Sequence, residues 1–323
     1  MSTTLDHAWG MILAGGDGKR LQDFTRVLFG ISQPKQFCAF TGTRSMFRHT
    51  LDRISSLIPS QRILSVIRTD HIKYAANQLN GVHPCNVVLL PSNKETAPGI
   101  LYSLVKIARS DPDGIVALFP ADHFVLEEEK FAQHLRYAFE FRHRYWDDLI
   151  ILGVDAEYPE TEYGWIEPDL PVLWKEEEDF TRVRRFWEKP GAELAQDLFA
   201  KGCLWNTMIT LGTVRTFLQL YREYLPQLYM PFKEIAPTIG TLQEEKAVRT
   251  VFQGIGPVNF SSGLLQRIPN RLRVMSVHGV RWSDWGERSR IVRTMESLQS
   301  TRESKTSIRE LVGPVMEQQL ANR

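Results

Sequence analysis

The chain has 323 residues, of which 43% are hydrophobic and 24% are charged, and its formal net charge is +1. This balance is typical of a globular protein of one or two domains, and it excludes a global electrostatic attraction to nucleic acid or to an anionic membrane. The three cysteines are widely spaced and form no C-x-x-C pair, which argues against a disulfide framework or a zinc site. Without a signal-like start or a long apolar run, we expect a cytoplasmic protein.

The first half of the chain alternates short apolar runs with longer helical patterns. In chain order, the predicted strands are AWGMILAG, RILSVIR, NVVLLP, GIVALFPADH and LIILGV. The predicted helices between them are SMFRHTLDRISSLI, HIKYAANQL, TAPGILYSLVKIARS and FAQHLRYAFEFRHR. Continuous Val, Ile and Leu runs separated by helices indicate a largely parallel sheet that is covered on both faces. Ligands bind at the carboxyl ends of the strands in such sheets.

A glycine-rich loop, LAGGDGKRLQ at residues 13–22, follows the first predicted strand. A Walker A loop requires Ser or Thr after its lysine, but Lys19 is followed by Arg20. A dinucleotide fingerprint requires a third glycine where Leu21 stands. The loop therefore predicts phosphate binding of another kind, with a simple tight turn as the alternative.

The second half is less regular. YGWIEP, FTRVRRFWEKP and NRLRVMSVHG are typical of strands, whereas GAELAQDLFAKG, TVRTFLQLYREYL and GERSRIVRTMESLQ are typical of helices. Charged residues stand at the ends of elements in both halves: Asp122 follows the first-half strand GIVALFP, Lys189 ends FTRVRRFWEKP, and Asp284 lies just before the helix GERSRIVRTMESLQ. Two aspartates at strand ends would suit Mg²⁺, which takes one or two carboxylates together with water and phosphate. Each also has a plain alternative, because Asp122 and Asp284 could cap helices and Lys189 could be solvated.

Taken in order, these pieces resemble the sugar-phosphate nucleotidyltransferases, and most closely the mannose-1-phosphate guanylyltransferases. The similar motifs are LAGGDGKRL with PKQF, FPADHFV, YGWIEP, FWEKP, LWNTM and WSDWG, and they extend from about residue 8 to residue 291. The resemblance implies an α/β fold with a Rossmann-like (GT-A type) mixed, mostly parallel sheet, helices on both faces and a short C-terminal extension. It also implies a nucleotidyltransferase domain over residues 1–255, and a segment over 256–323 that completes the site with Asp284 and ends in helices.

The resemblance further implies that a sugar 1-phosphate attacks the α-phosphorus of a nucleoside triphosphate and releases pyrophosphate. GTP and mannose 1-phosphate are the expected substrates, GDP-mannose the expected product and Mg²⁺ the expected cofactor. Nucleic acid and membranes are not expected partners, and a homodimer is a family expectation. The implied roles are catalytic for Arg20 and Lys35; nucleotide binding for Leu13, Gly15, Gly16, Gly18, Lys19, Glu95 and Ala97; sugar-phosphate binding for Gly164, Glu188, Lys189 and Asn206; and metal binding for Asp122 and Asp284.

The chain departs from the family pattern at several positions. The stretch between Arg20 and Lys35 is longer, which predicts a loop that closes differently over the triphosphate or stays mobile. Glu95 stands where asparagine is usual, and Met208 narrows the space expected for the sugar. An acidic motif of the family is replaced by residues 259–264, NFSSGL. Two alternatives therefore stay open: a different base and sugar pair, or a non-catalytic protein that binds and senses nucleotide sugars.

Overall fold

The computed structural model describes residues 4–169 and 180–300, which form a central sheet flanked by helices. Its strands are β1 Ala8–Leu13, β2 Ile63–Arg68, β3 Val87–Leu90, β4 Ile115–Pro120, β5 Phe124–Val125, β6 Leu149–Asp155, β7 Gly164–Pro168, β8 Phe180–Glu188, β9 Leu204–Thr213, β10 Leu272–Ser276 and β11 Trp282–Ser283. Its helices are α1 Gln22–Phe29, α2 Met46–Ser55, α3 Ile72–Ala75, α4 Thr96–Ser110, α5 Glu128–Phe141, α6 Ala192–Ala200, α7 Val214–Tyr224, α8 Pro226–Ile235, α9 Glu244–Gly254, α10 Phe260–Gly263 and α11 Arg288–Ser300. The predicted helices after residue 300 lie outside the described residues.

The main sheet has the strand order β3-β2-β1-β4-β9-β6-β10-β8-β7. Strands β1 to β4 are parallel to one another, as the apolar runs of the first half predict. In the second half, β9 runs antiparallel to β4, β6 and β7, and β8 runs antiparallel to β10 and β7. The predicted mixed α/β architecture is therefore confirmed, and each antiparallel pairing among the described strands includes at least one strand from the less regular second half.

Hydrophobic cores lie on both faces of this sheet. In β1, Trp9 and Met11 point into one core with Leu101 of α4, whereas Ala8 and Ile12 point into the other with Phe47 of α2. Alternate residues of a strand face opposite sides, so a strand that is buried on both sides has apolar residues at every position. This is why the predicted strands of the first half could be recognised as continuous apolar runs.

The long stretch after the glycine loop contains helix α1, so it is not an extended loop. Its residues Phe24 and Leu28 are buried in a third apolar cluster that also contains Phe40, Trp285 and Ile291. The residue that follows the helix, Gly30, has φ 75° and donates its N–H to the carbonyl of Arg26. Glycine suits this end because its left-handed backbone carries no Cβ penalty. The cluster therefore joins the glycine loop to the beginning of α11.

Strand β10 lies inside the main sheet, although it belongs to the segment predicted to begin at residue 256. It pairs with β6 on one side and with β8 on the other. Residues 272–276 therefore help to build the same sheet as the first half of the chain. Within residues 4–169 and 180–300, no helix has both the length and the apolar character needed to cross a membrane.

Candidate active site

A cavity of about 530 Å³ opens where β1 and β4 end. The predicted site residues that line it are Leu13, Gly15, Gly16, Gly18, Lys19, Arg20, Lys35, Glu95, Asp122 and Asp284. The predicted sugar-side residues and Ala97 do not line it. The structure thus brings the glycine loop, the two predicted catalytic residues and both candidate metal ligands together at one edge of the sheet.

The buried side chain of Gln36 stabilises the conformation of the glycine loop. Its amide Nε2 donates to the carbonyls of Ala14 and Gly16, at 2.9 and 2.8 Å. Gly18 has φ 59°, and a Cβ there would lie 3.1 Å from the backbone nitrogen of Lys35. Glycine suits this position because other residues are strained in the left-handed region and their Cβ would crowd the backbone of Lys35. The loop is therefore fixed in one conformation against the segment that carries Lys35.

The acidic residue of the glycine loop, Asp17, is contacted by four side chains, one of which is His71, with its Nε2 3.8 Å from Asp17 Oδ1. Arg68, at the end of β2, pairs with its Oδ1, and Asn93 donates to its Oδ2 at 3.0 Å. Lys19 lies farther away, with its Nζ 4.0 Å from Oδ2. Sequence reasoning missed Asp17, Arg68 and Asn93, although a charged residue inside a glycine loop was a signal for a specific partner.

Lys35 is buried beneath the cavity, with 7% of the residue exposed. Its Nζ lies 3.0 Å from Asp122 Oδ2, and it donates to the carbonyls of Asp284 and Trp285 at 2.5 and 3.2 Å. Trp285 has φ 45° and stacks on Phe124 with ring centroids 4.7 Å apart. The buried ring holds a strained backbone in place, and that backbone supplies one of the two carbonyl oxygens bound to Lys35.

The carboxylate of Asp284 is held in its ionised form. Arg290 Nη1 contacts both its oxygens at 2.7 and 2.9 Å, and Oδ1 also accepts from Tyr163 Oη and the N–H of Gly286. Burial alone would raise the pKa of Asp284, but the positive charges of Lys35 and Arg290 lower it to about 2. Burial and the charge of Asp284 raise the pKa of Tyr163, so its hydroxyl stays protonated and donates.

His123 lies beside both candidate metal ligands. Burial lowers the pKa of the His123 imidazole to about 4, although the negative charges of Asp122 and Asp284 act to raise it. Its Nδ1 accepts from Trp282 Nε1 at 3.3 Å. The imidazole is therefore neutral at pH 7 and adds no positive charge to the site.

The predicted sugar-side residues converge on the hairpin of β7 and β8. A Cβ on Gly164 would lie 3.1 Å from Glu188 Oε2 and 3.2 Å from Asn206 Cβ, so a side chain there would crowd both. Burial raises the pKa of Glu188, Lys189 opposes this effect, and Glu162 adds to it. Lys189 has φ 50°, and its Nζ lies 3.7 Å from Glu162 Oε2. Glu162 was missed by the sequence reasoning and connects this region to the cavity.

Two of the predicted nucleotide-binding residues, Glu95 and Ala97, differ in accessibility. Glu95 lines the cavity with φ 64°, and its Oε2 accepts from Asn259 Nδ2 at 3.4 Å. Ala97 is buried in the first turn of α4, and its N–H donates to the carbonyl of Val258. The backbone amide of Ala97 is therefore already used within the fold.

Met208 lines the cavity from a bulge in β9. The register between β6 and β9 shifts here, since Ile151 pairs with Thr210 but Gly153 pairs with Asn206. Met208 has φ 61°, and its N–H donates to Asn206 Oδ1 at 3.0 Å. The bulge thus places a methionine in a conformation that favours glycine.

We expect the Met208→Gly variant to be more stable than Met208→Ala by about 0.5–1 kcal/mol. Both variants lose the methionine contacts, but alanine keeps the left-handed strain of about 1–2 kcal/mol, and glycine's greater chain entropy offsets only part of that gain, about 0.5–1 kcal/mol. Urea unfolding of the two variants and the parent measures the difference. Equal stability, or a more stable alanine variant, would contradict the strain at Met208.

Comparison with known proteins identifies the family of the chain. The family described as nucleotidyl transferase matches residues 9–301. The chain is 29% identical over 234 residues to mannose-1-phosphate guanylyltransferase 2 of Escherichia coli O157:H7, covering 70% of this chain and 47% of the relative. It is 31% identical over 222 residues to the alginate biosynthesis protein AlgA of Pseudomonas syringae pv. tomato, covering 68% of this chain and 44% of that relative. The match thus spans less than half the length of either relative.

The fold is also similar to a solved structure described as mannose-1-phosphate geranyltransferase from Thermus thermophilus. The TM-score is 0.75 at 24% sequence identity, over 91% of this chain and 79% of that one. The family match and the relatives confirm the resemblance on which the sequence predictions rest. The chain belongs to the nucleotidyl transferase family.

Proposed function

We propose that the protein transfers a nucleotidyl group from GTP to mannose 1-phosphate, releasing pyrophosphate and forming GDP-mannose. The observation that carries this proposal is the convergence of the glycine loop, Lys35, Asp122 and Asp284 on one cavity. The similarity to mannose-1-phosphate guanylyltransferase 2 of Escherichia coli O157:H7 favours the guanylyl and mannose assignment. We assign the mixed sheet to the Rossmann-like GT-A type.

The glycine loop and its cations would bind the triphosphate. Gly15 and Gly16 allow the backbone to approach phosphate closely and to present N–H groups to it. Arg20 is half-exposed at the cavity, and Lys35 lies buried beneath it, so the two can neutralise charge on the departing pyrophosphate from different sides. Phosphoryl transfer requires mainly such positioning and neutralisation, with no nucleophilic side chain.

The donor set of Asp122 and Asp284 fits Mg²⁺. Both side chains supply hard carboxylate oxygens to the same cavity, and the low pKa of Asp284 keeps its carboxylate ionised. A bound Mg²⁺ would supply further positive charge for the phosphates of the substrates. Lys35 and Arg290 keep the two carboxylates in position.

The sugar 1-phosphate would lie toward the β7–β8 hairpin. Lys189 would bind its phosphate, Glu188 and Asn206 would bind sugar hydroxyls, and Gly164 would leave room for the ring. Glu95, at the opposite part of the site, would accept hydrogen bonds from the amino edge of guanine. Leu13 and Lys19 would complete the nucleotide side.

The test is pyrophosphate release with Mg²⁺, with GTP, ATP, UTP, CTP and dTTP each combined with mannose, glucose and other hexose 1-phosphates. We expect release with GTP and mannose 1-phosphate. Release with a different pair would keep the reaction and change the substrates. No release from folded protein with any pair would overturn the enzymatic proposal and favour a nucleotide-sugar sensor.

A further inference from the structure

The carboxylate of Glu162 lies between two cations that the proposed function assigns to different substrates. Its Oε2 accepts from Arg20 Nη1 at 2.9 Å and lies 3.7 Å from Lys189 Nζ. Arg20 would bind the triphosphate, and Lys189 would bind the sugar phosphate. One oxygen atom therefore contacts both phosphate-binding groups.

The backbone around Glu162 is anchored, although its side chain is 40% exposed. The N–H of Glu162 donates to Glu160 Oε1 at 2.9 Å, and the N–H of Lys189 donates to the carbonyl of Tyr163 at 3.2 Å. Trp165 Nε1 donates to the carbonyl of Glu160 at 2.7 Å. The segment therefore holds its place while the carboxylate can move away from its partners.

We propose that the carboxylate of Glu162 competes with the phosphates of both substrates for Arg20 and Lys189. Its carboxylate occupies Arg20 and Lys189 in the substrate-free site, and each phosphate that binds must replace it. Phosphate groups carry more negative charge than one carboxylate, so they displace Glu162 but bind less tightly than they would to free cations. The inference rests on the proposed function, because that function supplies the two phosphates.

A neighbouring residue provides a matched control. Glu287 Oε1 lies 3.4 Å from Arg20 Nη1, and its side chain is 42% exposed, like that of Glu162. Arg20 is its ion-pair partner among the described residues, so it touches the triphosphate side alone. Glu162→Gln and Glu287→Gln each remove one negative charge and keep the shape of the side chain.

The experiment measures the dissociation constants of GTP and mannose 1-phosphate by calorimetry in separate titrations. We expect Glu162→Gln to tighten the binding of both ligands by about 2- to 5-fold, the range of an exposed ion pair. Glu287→Gln should tighten the binding of GTP alone and leave the binding of mannose 1-phosphate unchanged. The gain should shrink as salt is raised, because exposed charges are screened over about 8 Å at physiological ionic strength.

Unchanged or weaker binding of both ligands to Glu162→Gln, with wild-type binding intact, would overturn the inference and leave the proposed function standing. A wild-type protein that binds neither ligand would overturn the proposed function, and with it this inference. A gain that is equal at low and high salt would also count against competition for charge.

Discussion

Replacement of Lys35 by methionine is expected to lower turnover by about 10²- to 10³-fold, the usual effect of removing one charge-stabilising group from an active site. The same change should lower the free energy of unfolding by about 2 kcal/mol, because hydrogen bonds to charged groups are worth about 1.5–3 kcal/mol. Lys35 is the buried donor to the carbonyls of Asp284 and Trp285 and the partner of Asp122. Steady-state kinetics and urea unfolding measure the two effects.

The control for this variant is Lys201→Met, which removes an exposed lysine at the end of α6. It should leave the unfolding free energy within about 0.5 kcal/mol of the parent. A Lys35→Met protein with parental turnover would show that the buried ammonium has no part in the reaction.

Replacement of Asp284 by asparagine is expected to abolish most Mg²⁺-dependent turnover and to change the response of stability to acid. The folded pKa of Asp284, about 2, lies below the unfolded value of about 3.9. Its ionisation therefore stabilises the fold by about 2 kcal/mol above about pH 5, and this contribution is lost as the pH falls toward 2. The variant lacks this contribution at every pH, so its stability should fall less steeply with acid.

Urea midpoints of the parent and Asp284→Asn at pH 7, 5, 4 and 3 measure this difference. Asp23→Asn is the control, since the Asp23 side chain is 94% exposed and pairs with Arg26 at the surface. Asp122→Asn should share the loss of turnover, because the proposal gives both aspartates to Mg²⁺. Parental activity in either aspartate variant would remove that residue from the metal site.

The sheet and one edge of the site could be predicted from the sequence because their signals are local. Continuous apolar runs marked β1 to β4, and the same parallel order placed the glycine loop and Asp122 at one edge. Strand β9 was not predicted, although its residues 204–213, LWNTMITLGT, are rich in the β-branched, aromatic and apolar residues that favour strands. Its insertion between β4 and β6 is a tertiary outcome that local patterns do not encode.

The partners of the candidate site residues could not be predicted, because they come from distant parts of the chain. Arg68 meets Asp17 across 51 residues, and Lys35 meets Asp284 across 249. Glu162 and Arg290 are ordinary charged residues in sequence, and only folding places them beside Arg20 and Asp284. The sequence thus indicated the residue types that the proposed chemistry requires, whereas the charged side chains that position those residues could be identified only from the fold.

The position of β10 has a consequence for synthesis of the chain. Strands β1 to β4 can pair as soon as residue 120 has been made, but β6 and β8 receive their shared neighbour only when residues 272–276 emerge. Pairings between distant segments form late, and unpaired strand edges invite contacts with other chains. A nascent chain that ends between residues 213 and 272 therefore leaves unpaired the edges of β6 and β8 that later receive β10, and such edges can pair with other chains.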